Sequence, residues 1–429
     1  MKKALIITGI LCVIIAGVLA FLWYSSIKPS ATTSSDAGSS DRTFSPFSSF
    51  VDFLTGDDSE TENTEQITDN GGESTARSVY DLLSITPAYE VTDALVANAV
   101  IVFTGTTTGN ILRYVERETG HIYELSLLSG VLRRLSNTTV PRIQEAYFGN
   151  NGSLIALQYL GEDGETIETF VGSVTTTSIE SSSEFTGDFL AQNIQTITLH
   201  PTQPGVFYTL KAGGGTAGRL FDPVSKQIAS LFSSPLSEWT ALWNSGTNIY
   251  LHTKPSSSAQ GFAYAIAPGS ATPARVFTNT FGITLLPNPF NKNILVGSSK
   301  DTPKMSLFNN TDGSTVSLVG TTFPEKCVWK TATVLVCAIP ESASSIDSWY
   351  NGSVSFSDSV WKINVETGLT DFLFDSEQTQ KEFDATHLSV SSDGTILSFI
   401  NKKNSHLWVA SLLPRTDTID VNAEFEENY

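Results

Sequence analysis

The sequence has little cysteine, little histidine and little positive charge. Of its 429 residues only 3 are Cys and 5 are His, and no two histidines stand at a spacing typical of a metal site. Lys and Arg together number 25 against 44 Asp and Glu, a formal net charge of −19. An acidic folded region repels phosphate backbones, and Arg133, Arg134 and Arg142 are too few to form a basic stripe. The composition therefore indicates no metal site and no nucleic-acid partner.

Signatures of common catalytic and cofactor sites are also missing. No G-x-S-x-G nucleophile turn occurs, and no second α/β domain is present that could carry one. GGGTAG at 213–218 matches a dinucleotide fingerprint by its letters. That motif needs a following helix whose N-terminus faces the phosphates, whereas the strand-like RLFDPVS follows here. We interpret 213–218 as a flexible loop and expect no cofactor.

One long hydrophobic run is present, near the N-terminus. Residues 4–24 hold 21 positions without a charge, enough as a helix to cross about 30 Å of hydrocarbon. A cleaved signal peptide is the alternative, but its apolar core normally spans only about 7 to 15 residues. Lys2 and Lys3 precede the run and only Lys28 follows closely, so the positive-inside rule places the N-terminus in the cytoplasm. The run predicts a single-pass cell-membrane anchor with the rest of the chain outside.

Residues 25–78 favour an unfolded linker. They are rich in Ser, Thr, Asp, Glu and Gly, and eight acids within 52–73 repel one another and extend the chain. An apolar stretch at 44–54, FSPFSSFVDFL, is either a short docking peptide or an unstructured patch. The predicted organisation has four parts: a cytoplasmic tip and transmembrane helix at 1–24, the linker at 25–78, a folded region at 79–421 and an acidic tail at 422–429.

Beyond the linker, short apolar runs recur at a regular interval. Seven of them start 40 to 62 residues apart: AVIVF from 99, SLIALQY from 153, GVFYTL from 205, NIYLHT from 248, NILVG from 293, TVLVCAI from 333 and TILSFI from 395. A second set of seven strand-like runs, from HIYELSL at 121 to HLWVASL at 406, starts 42 to 55 residues apart. A period of about 40 to 50 residues made only of strands is typical of four-stranded propeller blades. The pattern predicts an all-β, seven-bladed β-propeller, with six or eight blades as alternatives.

The last blade also carries a recognisable motif. SVSSDGTILSFI followed by HLWVASL resembles the Ser-Pro-Asp-Gly blades of TolB-type and WD40-like propellers, and VWKINVETG at 360–368 resembles the third strand and turn of a WD40 blade. Ser392 stands where those blades have Pro, and Asn364 stands where WD40 repeats have Asp. The resemblance implies a fold and transfers no catalytic residues. RTDTIDV at 415–421 is the candidate for the fourth strand of this blade.

Cys327 and Cys337 lie symmetrically about Ala332 in a predicted hairpin between the first two strands of a blade. Side chains at such positions face each other across antiparallel strands, with Cβ atoms about 4.5 to 5.5 Å apart. In an oxidising compartment this arrangement permits a disulfide. The alternative is a pair of small buried hydrophobic side chains, a common role of cysteine.

Loop lengths lead to a functional hypothesis. In a propeller the a–b and c–d turns share one face, and the b–c and d–a connections share the other. Four predicted b–c connections exceed a minimal hairpin, and long loops on one face of a rigid scaffold commonly bind ligands. These four span 105–120, 211–218, 253–261 and 340–358. Their side chains most typical of interface anchors are Arg113, Tyr114, Arg117, Trp349 and Tyr350.

We therefore expect a non-enzymatic, membrane-anchored, extracytoplasmic module of a bacterial cell envelope that binds a protein or a wall glycan. The alternative for the anchor side chains is that they pack back onto their own loops. The rival function is a glycan-cleaving enzyme, a glycoside hydrolase or lyase with carboxylates in the central channel. Acids are abundant, but sequence spacing does not show whether two of them reach the separation that such chemistry requires.

Overall fold

The computed structural model describes residues 77–413 apart from a few short gaps, which are 106–108, 176–183, 246–247, 271 and 344–345. The predicted anchor, nearly all of the predicted linker and the acidic tail lie outside the described residues. Between 77 and 413, no described helix combines the length and the apolar character needed to cross a bilayer.

The described chain consists mainly of short strands. Its helical pieces are α1 (Val79–Ile85), α2 (Ile346–Tyr350), α3 (Ser376–Thr379) and one 3-10 turn, η1 (Pro324–Lys326). The strands in chain order are β1 (Ala88–Thr92), β2 (Val96–Phe103), β3 (Asn110–Glu116), β4 (Ile122–Ser126), β5 (Leu132–Arg134), β6 (Ile143–Gly149), β7 (Leu154–Leu160), β8 (Ile167–Thr175), β9 (Glu184–Phe189), β10 (Thr196–Leu199), β11 (Val206–Ala212), β12 (Gly215–Phe221), β13 (Ile228–Ser234), β14 (Trp239–Ser245), β15 (Asn248–Thr253), β16 (Gln260–Ile266), β17 (Ala274–Phe281), β18 (Thr284–Pro287), β19 (Asn293–Ser299), β20 (Pro303–Asn309), β21 (Thr315–Ser317), β22 (Cys327–Trp329), β23 (Val334–Pro340), β24 (Asp358–Asn364), β25 (Thr370–Phe374), β26 (Ala385–Val390), β27 (Ile396–Asn401) and β28 (His406–Ser411).

These strands form seven antiparallel sheets of four strands each, which confirms the predicted seven-bladed propeller. Blades 1 to 6 each use four consecutive strands, beginning with β2–β5 and ending with β22–β25, and blade 7 combines β26, β27, β28 and β1. Strands are named a to d from the channel outwards, since the a strands of neighbouring blades contact one another around the ring. The end of the ring that carries the a–b and c–d turns is called the a–b face. The opposite end is called the b–c face.

Burial explains why the b strands read as continuous apolar runs. All six residues of β27 are buried, as are the first five of β7. The outer strand β21 is exposed along its whole length. A b strand has a neighbouring blade over each of its faces, so alternation of apolar and polar residues is lost there. The largest buried side chain at one such junction, Trp408, belongs to a single cluster with Val336 and Val360 of blade 6.

In blade 1 the observed order of strands differs from the predicted one. The repeat predicts AVIVF as the b strand of its blade, like TILSFI in the last blade, but it belongs to β2, the a strand. The b strand is β3, which lies within the stretch predicted as a long b–c loop at 105–120. β2 is a continuous apolar run because it packs against blade 7 as well as against blade 2, whereas the b strand β3 contains Arg113, so the most apolar run of this blade is not its b strand.

The ring closes through its N-terminal strand. β1 pairs antiparallel with β28, with Ala88 opposite Ala410 and Tyr89 opposite Val409, and it therefore supplies strand d of blade 7. The predicted fourth strand at 415–421 lies outside the described residues, and the position expected for it is filled by β1. Bonding of one end of the chain to the other within a single sheet holds the first and last blades together.

Candidate functional site

Most b–c connections are shorter than predicted. Blade 3 turns through Gly213 and Gly214 alone, both at positive φ, so that most of 211–218 is strand and not a flexible loop. Blades 5 and 7 turn within 300–302 and 402–405. The predicted long b–c loops are therefore wrong for blades 1 and 3, whereas blade 4 keeps a connection at 254–259 that exceeds a minimal hairpin, and the longest of the four lies in blade 6. There, residues 341–357 separate β23 from β24, and this segment is called the cap.

Arg113 and Tyr114 do not lie on a loop, because both belong to strand β3 and are only 5% and 3% exposed. The Arg113 guanidinium donates to the carbonyl oxygen of Gly152 at 2.7 Å and forms an ion pair with Glu124 at 2.6 Å. The Tyr114 ring stacks on the ring of Tyr123, with centroids 5.2 Å apart. Internal contacts therefore occupy both side chains, which corrects their assignment as exposed anchors.

The cap folds back onto the propeller through aromatic side chains. Helix α2 lies within it, and Ile346, Trp349 and Phe356 form a buried cluster with Phe323, which precedes η1. Trp349 is 5% exposed, and its ring is parallel to that of Phe356 at a centroid distance of 6.3 Å. The Tyr350 hydroxyl donates to the carboxylate of Glu325 in η1. Trp349 and Tyr350, predicted as partner-binding anchors, instead fasten the cap to its own blade.

A buried lysine lies beneath this cluster. Lys326, Asp358 and Asp384 have no side-chain exposure at all. Lys326 Nζ is 2.7 Å from Asp358 Oδ2 and 2.5 Å from Asp384 Oδ1. The three residues come from the end of η1, the start of β24 and the position just before β26, so they join blade 6 to blade 7. Because burial of an unpaired charge is costly, removal of one partner is expected to destabilise the fold strongly.

Asp384 is the centre of the hydrogen bonds that fix the cap. Its Oδ2 accepts from Trp349 Nε1 and from the backbone N–H of Phe356, each at 2.9 Å. Its own backbone N–H donates to Asn401 Oδ1 at 3.0 Å. Lys402 adds a contact from blade 7, since its Nζ donates to the carbonyl oxygen of Trp349 and lies 4.0 Å from the centroid of the Trp349 ring. The cap is therefore bound to both blades 6 and 7.

The same segment reaches a blade that is not its neighbour. Asp347 of α2 accepts from the backbone N–H of Ser257 at 3.1 Å and also from the Ser257 hydroxyl. Ser257 lies in the b–c connection of blade 4, so α2 contacts a blade that is not adjacent to its own. Described residues of the cap thereby connect parts of blades 4, 6 and 7 on the b–c face.

Burial changes the protonation of two acids at this site. It raises the pKa of Asp358 to about 6, against the opposing effect of the Lys326 ammonium and with a smaller increase from the Asp384 carboxylate. Burial likewise raises the pKa of Glu325, although the hydrogen bond from Tyr350 opposes that rise. Asp358 can therefore gain or lose a proton close to neutral pH.

A second polar group lies in the channel near the b–c face. Glu145 and His387 are the third residues of two a strands, β6 and β26, and Glu145 Oε2 lies 3.9 Å from His387 Nε2. Partial enclosure and the Arg117 guanidinium lower the pKa of His387, and partial enclosure raises the pKa of Glu145, although both side chains stay more than a third exposed. Arg117 itself donates to the carbonyl oxygen of Gln144 at 3.2 Å. Of the predicted anchors, Arg117 is the one that comes close to polar side chains of the channel.

The outer surface of the cap is polar. Asn351, Gly352 and Ser353 are exposed at its turn, where Asn351 Oδ1 accepts from the backbone N–H of Ser353 at 2.9 Å. Among the residues that the structure describes, no group of three His, Cys, Asp or Glu side chains is arranged to hold a metal ion. The b–c face therefore offers hydrogen-bonding groups on a fixed backbone.

Comparison with known proteins identifies the fold and no family. No protein-family model matches the chain, and no curated protein matches it. Among solved structures, the tricorn protease is similar with a TM-score of 0.50 and 10% identity over 75% of this chain and 33% of that one. The β-propeller domain of the Trilobed protease from Pyrococcus furiosus gives a TM-score of 0.49 and 12% identity over 76% of this chain and 99% of that one. The propeller domain of Cps50 (Swd1) from Myceliophteria thermophila gives 0.46 and 9% over 74% and 97%. At such low identity these similarities concern the fold alone.

Proposed function

We propose that this chain is a membrane-tethered, extracytoplasmic binding module that contacts a protein or a wall glycan through the cap on its b–c face. The observation that supports this proposal best is the cap itself. It is long, it completes no blade, and it is nevertheless fastened by the buried Lys326, Asp358 and Asp384 and by the Asp347–Ser257 contact. A surface loop ordered before its partner arrives loses less conformational entropy on binding.

The chemistry of the exposed turn fits a polar partner. Asn351 and Ser353 present an amide and a hydroxyl to solvent, while the aromatic side chains of the cap point inwards. Hydrogen-bonding groups of this kind suit the hydroxyls of a glycan or the backbone of a protein loop. The aromatic cluster then serves to keep the turn in place.

The rival function, cleavage of a glycan, has less support. A glycosidase needs two carboxyl groups that reach the sugar from opposite sides of the scissile bond. In the described part of the chain, Asp358 and Asp384 approach the same Lys326 Nζ, but both are fully buried. Glu145 does lie in the channel, and the titratable side chain close to it is that of His387. Binding without cleavage accounts for these positions more simply.

The location is proposed from the sequence. The uncharged run at 4–24 and the acidic linker predict a tether that holds the propeller away from the membrane. Such a display would leave the cap accessible to other components of the envelope.

Site-specific crosslinking tests the binding face. A photoreactive side chain is placed at Asn351 in the full chain, and the cells are irradiated. The control position is Asp312, an exposed residue in the c–d turn of blade 5, on the opposite face. The two positions are matched, because each side chain accepts a hydrogen bond from the backbone N–H two residues later. We expect discrete adducts from Asn351 alone. Equal adducts from both positions, or none from Asn351, would contradict the proposal.

A further inference from the structure

Lys326, Asp358 and Asp384 form a buried group in which one amine contacts two carboxyl groups. All three side chains are completely removed from solvent. The Lys326 Nζ lies 5.3 Å from the ring centroid of Trp349 and 5.9 Å from that of Phe356, so apolar rings enclose it. Surroundings of this kind favour neutral groups over charged ones. Water, which would hydrolyse or solvate a reactive intermediate, is excluded.

The surroundings of the Asp384 carboxyl group suit a group that is attacked by an amine. Its Oδ1 lies 2.5 Å from Lys326 Nζ, so the amine is in contact with the carboxyl group. Its Oδ2 accepts two hydrogen bonds of 2.9 Å, from Trp349 Nε1 and from the backbone N–H of Phe356. Two donors aimed at one carboxyl oxygen, in a dry site, form the type of arrangement that stabilises the oxyanion of a tetrahedral intermediate.

Asp358 lies on the other side of the same amine. Its Oδ2 is 2.7 Å from Lys326 Nζ and accepts from the backbone N–H of Ala385, also at 2.7 Å. Its Oδ1 is buried and has no hydrogen-bond partner among the residues that the structure describes. Asp358 thus lacks the pair of donors that polarises Asp384, but it is within reach of the amine protons. This position suits a group that transfers a proton.

We propose that Lys326 and Asp384 condense to form an intramolecular isopeptide bond, with Asp358 as general acid and base. The inference does not depend on the proposed binding function. It assigns a covalent link between η1 of blade 6 and the residue that precedes β26 of blade 7.

The step balances without any oxidant or co-reactant. A proton passes from the Lys326 ammonium to the Asp384 carboxylate, which leaves a neutral amine and a carboxylic acid. The Nζ lone pair attacks Cγ of Asp384, and the negative charge that develops on Oδ2 is held by Trp349 Nε1–H and Phe356 N–H. Asp358 takes a proton from Nζ and delivers it to Oδ1. The Cγ–Oδ1 bond breaks, water leaves, and the amide remains.

The raised pKa of Asp358 supports its role. A carboxyl group with a pKa of about 6 accepts a proton and returns it near neutral pH, as efficient general acid–base catalysis requires. The cap supplies both oxyanion donors, Trp349 Nε1–H and Phe356 N–H, together with apolar walls, so a folded cap is needed for the reaction. The amide bond would in turn remove the buried charges of Lys326 and Asp384 and fix the base of the cap permanently.

The direct test is peptide mapping of the wild-type full chain. The protein is purified in detergent, reduced, unfolded and digested with trypsin, which does not cut after an acylated lysine. We expect one branched peptide that joins residues 305–330 to residues 382–402, lighter by one water than the sum of the two. Fragmentation must locate the branch at Lys326 and Asp384. Recovery of a free peptide ending at Lys326, with no branched product, would overturn the proposal, and a branch at Asp358 would overturn the assignment of the electrophile.

The branched peptide is the decisive observation, since an intact mass that lacks one water has another possible source. The Asp393–Gly394 dipeptide can lose water by cyclising on itself, but this creates no branch. Two variants complete the test. Asp384→Ala must abolish the branch, and Asp358→Asn, which keeps the shape of the side chain, must slow its appearance after refolding at least about tenfold. If the branch forms in Asp358→Asn at the wild-type rate, Asp358 does not take part in the reaction.

Discussion

Ala88 lies opposite Ala410, which places the first described strand in the same sheet as the last. The pairing extends through Tyr89 and Val409 to Glu90 and Trp408. Strand β1 contributes the buried side chains of Ala88, Tyr89 and Val91 to the closing blade. The ring is thus sealed by hydrogen bonds between segments that are far apart in the chain.

Removal of β1 should therefore open the propeller. We compare a chain that begins at residue 87 with one that begins at residue 93, both without the predicted anchor and without α1, so that the two differ by β1 and the one residue before it. Burial of each large apolar side chain is worth about 1.5 to 3 kcal/mol, so the shorter chain should lose at least about 3 kcal/mol of unfolding free energy. Urea unfolding followed by tryptophan fluorescence measures the difference. Equal midpoints would show that β1 does not close the ring.

The cysteines provide a second test. Cys327 lies opposite Cys337 in the β22–β23 pair, and the structure joins their sulfur atoms at 2.09 Å. With 10 residues of separation, closure of this loop should contribute about 2.5 kcal/mol by the chain-entropy model. Thiol counting on the unfolded, unreduced full chain should find Cys12 alone. A count of three free thiols would show that the disulfide between Cys327 and Cys337 does not form.

Acid should weaken the fold through His252. This side chain is 1% exposed in β15, and burial lowers its pKa to about 4, although its contact with the carbonyl oxygen of Thr253 opposes the shift. The unfolded chain, with a histidine pKa of about 6.5, takes up the proton first, so stability is present above that pH and declines below it. Between about pH 7.5 and pH 5 the loss from this group should be about 2 kcal/mol.

The control for this pH effect is His252→Gln. Buried carboxyl groups with raised pKa, such as Asp358, act in the opposite direction, so the total slope is not diagnostic. The difference between the wild-type and variant slopes isolates the histidine. Parallel slopes of unfolding free energy against pH would contradict a neutral, buried His252.

Alanine substitutions at two glycines distinguish the cost of a positive φ from the cost of steric crowding. Gly120 and Gly313 both have positive φ, of 69° and 77°. A Cβ at Gly120 would lie 2.5 Å from the carbonyl oxygen of Val140, whereas one at Gly313 would meet nothing within 4 Å. Alanine at Gly313 should cost about 1 kcal/mol from φ alone, and alanine at Gly120 should cost at least about 1 to 2 kcal/mol more. Thermal unfolding of both variants measures the difference, and equal shifts would refute the close approach.

The fold was predictable because each b strand is covered on both faces and so leaves a repeated apolar run in the sequence. Blade 1 escaped the pattern, since its a strand β2 (VANAVIVF) is more apolar than its b strand β3 (NILRYVE), which contains the buried Arg113. The closing strand escaped it too, because AYEVT is short and becomes part of blade 7 only by pairing with β28. Periodicity describes neighbours along the chain and gives no signal for such a distant partner.

The site was harder to foresee than the fold. Lys326, Asp358 and Asp384 lie at three separate places in the chain, namely η1, the start of β24 and the position before β26, and they meet only when blades 6 and 7 pack together. The sequence predicts Trp349 and Tyr350 as partner-binding anchors, but it does not show that they point inwards to Asp384 and Glu325. An aromatic pair in a long loop has the same composition whether it binds a partner or anchors the loop itself.

Protease treatment of intact cells tests most directly whether the propeller is displayed outside the membrane on a tether. Bacterial cells that make the full chain are converted to spheroplasts and treated with a protease that cannot enter them. We expect cleavage in the linker and release of a resistant fragment that begins near residue 77, because the closed ring protects everything after it. A chain that stays full length until the spheroplasts are lysed would contradict both the anchor and its orientation.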